Sequence, residues 1–492
     1  MQILLRRPSI AVAAELRQHL QARSVRTMTR IMPTTIDSWI ADNRARLLDE
    51  LLDFIRAPSV STDPSYAEGI ARAASILQAR LERIGLEGVQ LLDGGGHKAV
   101  YGAWLHAEGA PTLLIYGHYD VQPPDPVELW DTPPFEPTVR EGRIVARGAS
   151  DDKSPVWIAV SAVEAWLATQ KRLPVNVKLL LEGEEEIGSR TLPVILDRYR
   201  DLLAADVLIS ADGGRWRPGR PSVNVNSRGN IGMEVVLRTA SRDLHSGRYG
   251  GPVANAATVL AGLIATLHDA DNRIAVRGFF DGLRPPGNAD VAGMEALGFD
   301  EAAFFAEIGA RPGAMEPGVR LLESLWLRPT LEVNGIWGGY TGPGGKTVIP
   351  SEAHAKITCR LGPGQAPRAV GDAVEAHLRA HCPPYADIEV QRSRDGTPAY
   401  AIPEDDPFLG AVERVIERVH GQKPVRVGIG GTLPISAMIK EILGLETVTL
   451  SYAIADEQIH APNEFFRLSS FDDGLRAWTE LLAEAARIRP PS

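Results

Sequence analysis

Thr112-Leu113-Leu114-Ile115-Tyr116-Gly117-His118-Tyr119-Asp120 decides the reading of this chain. Thr112 to Tyr116 reads as a short buried strand. The polar residues beyond it, His118 and Asp120, fall two apart, so their side chains point the same way. At that spacing one can bind a metal ion while the other orients it, because a metal-bound imidazole usually gives its second ring N–H to a carboxylate or carbonyl. Taken alone, the pair fits an ordinary polar strand end equally well.

Three further acidic clusters each follow a similar apolar stretch. Arg147-Gly148-Ala149-Ser150-Asp151-Asp152-Lys153 precedes a helix expected from Ser154 to Leu167. Val177 to Leu181 runs into Glu182-Gly183-Glu184-Glu185-Glu186-Ile187-Gly188-Ser189, and Asp206-Val207-Leu208-Ile209-Ser210 ends at Ala211-Asp212-Gly213-Gly214. In open α/β sheets ligand sites gather beyond the carboxyl ends of the strands, which would bring these acids together. So many carboxylates in one crevice repel one another, and a pair of cations is the simplest compensation. A run of glutamates can also be a solvated loop. The chemical alternative is that one glutamate binds metal while its neighbour acts as general base toward the water between two ions. Far downstream, Ile454-Ala455-Asp456-Glu457-Gln458-Ile459-His460-Ala461-Pro462-Asn463-Glu464 offers His460 as a further ligand or as plain polar surface.

These motifs together resemble the M20 family of metallopeptidases from about Ile36 to the C-terminus. The resemblance is carried by Gly-His-Tyr-Asp-Val-Gln (117 to 122), Gly-Ala-Ser-Asp-Asp-Lys (148 to 153), Glu-Gly-Glu-Glu-Glu-Ile-Gly-Ser (182 to 189), Ser-Ala-Asp (210 to 212), Asp-Leu-His-Ser-Gly (243 to 247) and His-Ala-Pro-Asn-Glu (460 to 464). It implies that Asp151 bridges two divalent metal ions, with His118 and Asp212 completing one site and Glu186 and His460 the other. Zn²⁺ is the expected metal, and Mn²⁺ or Co²⁺ also suits such donors. Glu185 would be the general base, collecting and relaying the proton of the water that becomes a metal-bridging hydroxide, and Asp120 would orient His118. The ending Ile187-Gly188-Ser189 sets the register at Glu186; a shift by one residue would make Glu184 the base. The Asp151-Asp152 peptide is expected to be cis.

Within the family the sequence looks most like the carnosinase-like, or cytosolic nonspecific, dipeptidases. Asp-Leu-His-Ser-Gly-Arg-Tyr-Gly-Gly (243 to 251), Lys-Thr-Val-Ile-Pro (346 to 350) with Arg360, and Gly-Gly-Thr-Leu-Pro (430 to 434) carry that likeness. It implies a homodimer in which His245 reaches the partner's site to polarise the scissile carbonyl. Arg360 and Thr347 would hold the substrate carboxylate, and Thr432 stands where relatives carry serine. A guanidinium suits that task because its planar fork grips both carboxylate oxygens. From position alone, His245 could equally make a turn, Arg360 could be a surface arginine and Thr347 a strand residue.

The chain has 492 residues and a net charge of −10, which disfavours nucleic acid as a partner, and no basic patch with interleaved aromatics appears. Cys359 and Cys382 are too few for a disulfide framework, so a reducing, cytoplasmic setting is expected. No segment has the roughly 20 apolar residues of a membrane span. The arginine-rich residues 1–31 read as an extension, either a transit segment or sequence preceding a true start at Met28 or Met32.

Helical spacing from Ile36 to Phe54 and from Tyr66 to Ile84, then strands at Val100 to Leu105 and Thr112 to Tyr116, make an α/β layer pattern. The expected architecture is a zinc-peptidase-like catalytic domain, a mixed sheet flanked by helices, built from residues 32–225 and 402–492. An α+β lid and dimerisation domain, 226–401, is inserted in it. That insert should hold strands at Asn226 to Leu237 and Thr347 to Leu361, a helix at Val253 to Leu267, and a Gly- and Pro-rich stretch from Gly282 to Gly345. The leading expectation for function is hydrolysis of dipeptides. The alternatives are an N-acyl amino acid deacylase of acetylornithine or succinyl-diaminopimelate type and a noncatalytic peptide- or metal-binding homologue.

Overall fold

The computed structural model describes residues 35–313 and 315–489. The expected extension 1–31, with its alternative starts, lies outside the described residues.

A six-stranded sheet organises the larger part of the fold. Its strands lie in the order Glu87–Leu92, Ala99–Trp104, Asn176–Glu182, Thr112–His118, Val207–Ser210 and Thr447–Thr449. The first two pairings are antiparallel and the rest parallel, so the sheet is mixed. Both faces are covered, which is why its central strands read as continuous apolar runs. Leu113 and Ile115 enter a core with the helices Ile36–Ile55, Ala67–Arg83, Ser154–Gln170 and Leu468–Ala485. Leu114 and Tyr116 point into the opposite core, against Leu192, Ile195, Ile435 and Ile439. The mixed α/β architecture expected from the sequence is present.

A second core belongs to a four-stranded antiparallel sheet, ordered Thr330–Gly338, Glu352–Leu361, Gly229–Arg238 and Asp387–Thr397. Alternate residues of Glu352–Leu361, including Ala355, Ile357 and Cys359, pack with the helices Ala256–Ala265 and Pro367–His381. This one-sided burial gives the period of two that a half-covered sheet requires. A small sheet of Tyr400–Ala401, Ser222–Ser227 and Val425–Ile429 sends Val223 and Tyr400 into the first core.

Several boundaries differ from the sequence reading. The strand expected at Asn226 to Leu237 is two strands, Ser222–Ser227 and Gly229–Arg238, separated at Arg228. That expected from Thr347 breaks at Pro350 and Ser351 into Val348–Ile349 and Glu352–Leu361, where the Ser351 N–H and hydroxyl both donate to Asp243. The stretch Gly282 to Gly345 is more ordered than its composition suggests. It contains the helices Asn288–Ala296, Glu301–Glu307 and Leu321–Trp326 and the strand Thr330–Gly338. That strand forms a sheet edge and leaves Val333, Ile336 and Trp337 exposed, which blurs the alternation by which a strand is recognised.

Candidate metal centre

Three parallel neighbours in the large sheet end side by side, and their following loops carry the acids. His118 closes Thr112–His118, Glu185 and Glu186 follow Asn176–Glu182 on a short 3₁₀ turn, and Asp212 follows Val207–Ser210. Gly117 lets the Asp151 loop approach this edge. A Cβ there would lie 2.4 Å from Val156 and 2.7 Å from Asp152 Oδ2. Asp152 in turn accepts the His118 backbone N–H at 3.3 Å. The Asp151–Asp152 peptide is cis, as expected.

Asp151 stands at the centre. Its Oδ1 lies 3.0 Å from His118 Nε2, and its Oδ2 lies 2.9 Å from His460 Nε2. His460 Nε2 is also 3.2 Å from Glu186 Oε2. Two donor sets result, His118–Asp151–Asp212 and Asp151–Glu186–His460, and within each the ligand atoms lie within 4.8 Å of one another. The structure therefore brings together all five residues singled out in the sequence. His460 sits on a loop in which it, Gln458 and Asn463 all have positive φ. Non-glycine residues held this way cluster at functional sites.

The charge balance shows why the cluster suits cations. Burial pushes the Asp212 carboxyl up to about 6, with Asp151 and Glu186 adding to the effect. Burial also raises Glu185 well above the usual range; the His118 charge opposes this, while Asp212, Asp151 and Glu186 reinforce it. Burial would lower the His118 imidazole, but hydrogen bonds to Asp120 and Asp151 hold it well above its ordinary value. Hydrogen bonds to Asp151 and Glu186 push His460 up to about 10. Asp151 is raised by burial yet held below the ordinary carboxylate range by hydrogen bonds from those two imidazoles. Two imidazoles supply the positive charge here, and two divalent ions with His and carboxylate ligands would supply it with matching donor chemistry.

Asp120 does more than the spacing suggested. His118 Nδ1 lies 3.1 Å from the Asp120 backbone carbonyl and 3.4 Å from its Oδ1. The two carboxylate oxygens accept the backbone N–H groups of Glu185 and Glu186, at 3.2 and 3.1 Å. One residue thus ties His118 to the turn that presents Glu185. Glu184 is occupied elsewhere, accepting from the His97 N–H and from the N–H and hydroxyl of Thr191.

The remaining candidates form two separate contacts. His245 pairs with Val348 across a short ribbon, the Ser246 N–H donates to the Thr347 carbonyl, and His245 and Thr347 are both exposed. Arg360 Nη1 donates to Thr432 Oγ1 at 2.9 Å, joining Glu352–Leu361 to the loop after Val425–Ile429.

Sequence reasoning missed the residues that hold the ligand loops. Buried Glu464 accepts the N–H groups of Gly148, Ser150 and Asp151, and its Oε2 lies 2.7 Å from Arg147 Nη1. Glu457 accepts the Ser150 hydroxyl and the Ile454 N–H. Gln122 donates to Glu186 Oε2 at 2.7 Å. Asn463 accepts the Asp131 N–H and donates to the Leu129 carbonyl, pinning the proline-rich loop 125–137 beside the His460 loop. Glu464 and Gln122 lie inside quoted motifs, so their presence there was the available signal.

Fold and cluster place the chain among the metallopeptidases, which are hydrolases. A model of peptidase family M20/M25/M40 matches residues 114–484, and the chain belongs to that family. It is 28% identical over 456 residues to the human Beta-Ala-His dipeptidase, covering 88% of each chain. It is 26% identical to the Cys-Gly metallodipeptidase DUG1 of Candida albicans, over 89% of this chain and 94% of that one. Among solved structures it is similar to the M20 family metallo-carboxypeptidase Sso-CP2 from Sulfolobus solfataricus. The TM-score is 0.79 and the identity 30%, over 90% of this chain and 99% of that one.

Proposed function

We propose that this chain is a homodimeric dipeptidase that uses two divalent metal ions, Zn²⁺ foremost. The observation that carries the reading is Asp151, whose two oxygens face His118 and His460 at 3.0 and 2.9 Å. In this reading His118, Asp151 and Asp212 hold one ion, and Asp151, Glu186 and His460 the other. Such a pair, when bound, acidifies water and stabilises the oxyanion that forms as a carbonyl is attacked. Glu185 takes the water's proton and passes it to the leaving nitrogen, a relay suited to a half-buried carboxyl among other acids. Arg360, fixed by Thr432, takes the substrate carboxylate, and Thr347 assists. His245 lies on the surface, the position required of a group that serves the partner's site. The names of the human and Candida relatives support a dipeptide substrate. Two free thiols, one of them buried, support a cytoplasmic setting.

A second reading, carboxypeptidase action on longer peptides, is favoured by the name and the 30% identity of the Sulfolobus relative. It uses the same centre and the same carboxylate grip. Metal-loaded protein assayed on dipeptides, longer peptides and N-acetyl amino acids separates these readings. Turnover restricted to dipeptides, abolished by chelation and restored by metal, is expected. Preference for longer peptides or for N-acetyl amino acids would overturn the dipeptidase assignment.

A further inference from the structure

One residue holds the loop that leads to Thr432. The Arg228 backbone N–H donates to the carbonyls of Ile429 and Gly431, each at 3.1 Å, and its Nε donates to the Gly430 carbonyl at 2.8 Å. Three consecutive carbonyls thus end on Arg228, and the residue after them, Thr432, accepts Arg360 Nη1 at 2.9 Å. Arg228 Nη1 reaches the carbonyls of Arg328 and Ser324 at 3.2 and 3.4 Å, which ties the same point to the helix Leu321–Trp326 and the turn beyond it. The loop is closely packed there: a Cβ on Gly430 would lie 2.8 Å from the Leu325 carbonyl oxygen and 3.3 Å from Arg228 Nη2. Arg228 separates the strands Ser222–Ser227 and Gly229–Arg238, so it stands where the chain passes from the small sheet into the four-stranded sheet. Arg360 lies in that second sheet, opposite Asn230.

The charge at this junction is not balanced from within. Every hydrogen bond of the Arg228 guanidinium among the described residues ends on a neutral carbonyl, and that of Arg360 ends on a hydroxyl. Burial pushes the Arg228 guanidinium down to about 10, with the Arg360 charge adding to the effect and Glu332 opposing it. Two half-buried cations that repel each other are stabilised when an anion joins them. Nε and Nη2 of Arg360 have no partner among the described residues, and that edge of a guanidinium matches the two oxygens of one carboxylate.

We propose that Arg228 is the positioning residue of the carboxylate grip. It sets Thr432 through the three carbonyls before it, Thr432 fixes the Arg360 fork, and the second positive charge favours a substrate with a free C-terminal carboxylate. The inference rests on the role proposed above for Arg360. It holds for dipeptidase and carboxypeptidase action alike, since both substrates end in a carboxylate.

Kinetics of the full-length, metal-loaded protein on alanyl-leucine and on alanyl-leucinamide, which lacks the carboxylate, test it. Arg228→Gln should raise KM for alanyl-leucine about tenfold or more with kcat little changed, and leave KM for the amide as in wild type. Equal effects on both substrates would reduce Arg228 to a structural residue and overturn the proposal. Thr432→Val keeps every Arg228 hydrogen bond while removing the hydroxyl that Arg360 touches, and it should give the same selective loss. The double variant should add little to either single change, because both break one chain of contacts; full additivity would overturn the link through Thr432. Arg228→Lys keeps the charge but cannot span the carbonyls, so it should recover only part of the affinity, and full recovery would rule out positioning. A protein that hydrolyses no peptide would sink the functional reading. Calorimetric titration with the same two ligands then decides the grip: alanyl-leucine should bind more tightly than its amide to wild type and no more tightly to Arg228→Gln, and equal binding to wild type would overturn the proposal.

Discussion

Glu464 and Asp151 are joined through the backbone: the Asp151 N–H donates to Glu464 Oε1 at 3.1 Å, although 313 positions separate the two residues. The same carboxylate holds Ser150, Gly148 and Arg147, so the segment that delivers His460 also fixes the loop that delivers Asp151. The two halves of the candidate centre are therefore tied to each other directly.

Replacing Glu464 should consequently harm metal binding without touching a ligand. Glu464→Gln keeps the volume but removes the charge opposite Arg147, with both groups only 1% exposed. Metal affinity should fall about 10- to 100-fold, as for other groups that orient ligands. Breaking the buried pair should cost about 3–5 kcal/mol of stability. Metal titration and urea unfolding measure the two effects, and wild-type metal affinity in a folded variant would contradict the role.

Glu185→Gln should separate binding from chemistry. The amide fills the same space but cannot accept the proton, so kcat should drop by about 10²- to 10⁴-fold while the metal content stays at the wild-type level. Elemental analysis beside steady-state kinetics decides. A variant with near-normal turnover removes Glu185 as the base.

Metal loading should release protons. In the metal-free protein His460 titrates at about 10 and His118 well above its ordinary value, so both imidazoles are charged at neutral pH. Ligation needs them neutral, and about two protons should leave as the site fills. Apparent affinity should therefore rise with pH across the neutral range, and fall further in acid as Asp212, pushed up to about 6, takes a proton. Calorimetry in buffers of contrasting ionisation enthalpy counts the protons; a count near zero would contradict this charge assignment.

Arg360→Lys should weaken substrate capture more than chemistry. Lysine keeps the charge but loses the fork and its contact with Thr432, now 2.9 Å from Nη1. KM for dipeptides should rise about tenfold or more with kcat little changed, the signature of lost uniform binding. An unaltered KM would place the substrate carboxylate elsewhere.

Gly117→Ala should disrupt the floor of the centre. The added methyl meets Val156 Cγ2 at 2.4 Å and Asp152 Oδ2 at 2.7 Å, so these buried side chains must shift to admit it. A loss of about 1–3 kcal/mol in urea unfolding is expected, together with weaker metal retention. Unchanged stability would show that these side chains yield easily.

Much of the centre was legible because ligand chemistry is local at each position. His118, Glu186 and Asp212 each stand at or just beyond the end of a buried apolar strand, and these three strands pair in parallel and so end on one side. In the glutamate run, Glu184 is tied up by Thr191 and His97, while Glu186 stands in one donor set with Asp151 and His460. The strand Thr330–Gly338 was missed because an edge strand with an exposed apolar face lacks the alternation that marks burial.

The sequence by itself determined the donor types, the mixed α/β layering and the family, since these depend on residue identity, hydrophobic period and motif order. Only the tertiary structure decided that Asp151 faces both histidines, that the Asp120 carboxylate carries the Glu185 turn, and that Glu464 clamps the Asp151 loop. Those relations join backbone and side-chain atoms from 33 to 313 positions apart, and no local spacing encodes a hydrogen bond that exists only once the sheet has brought its strand ends together.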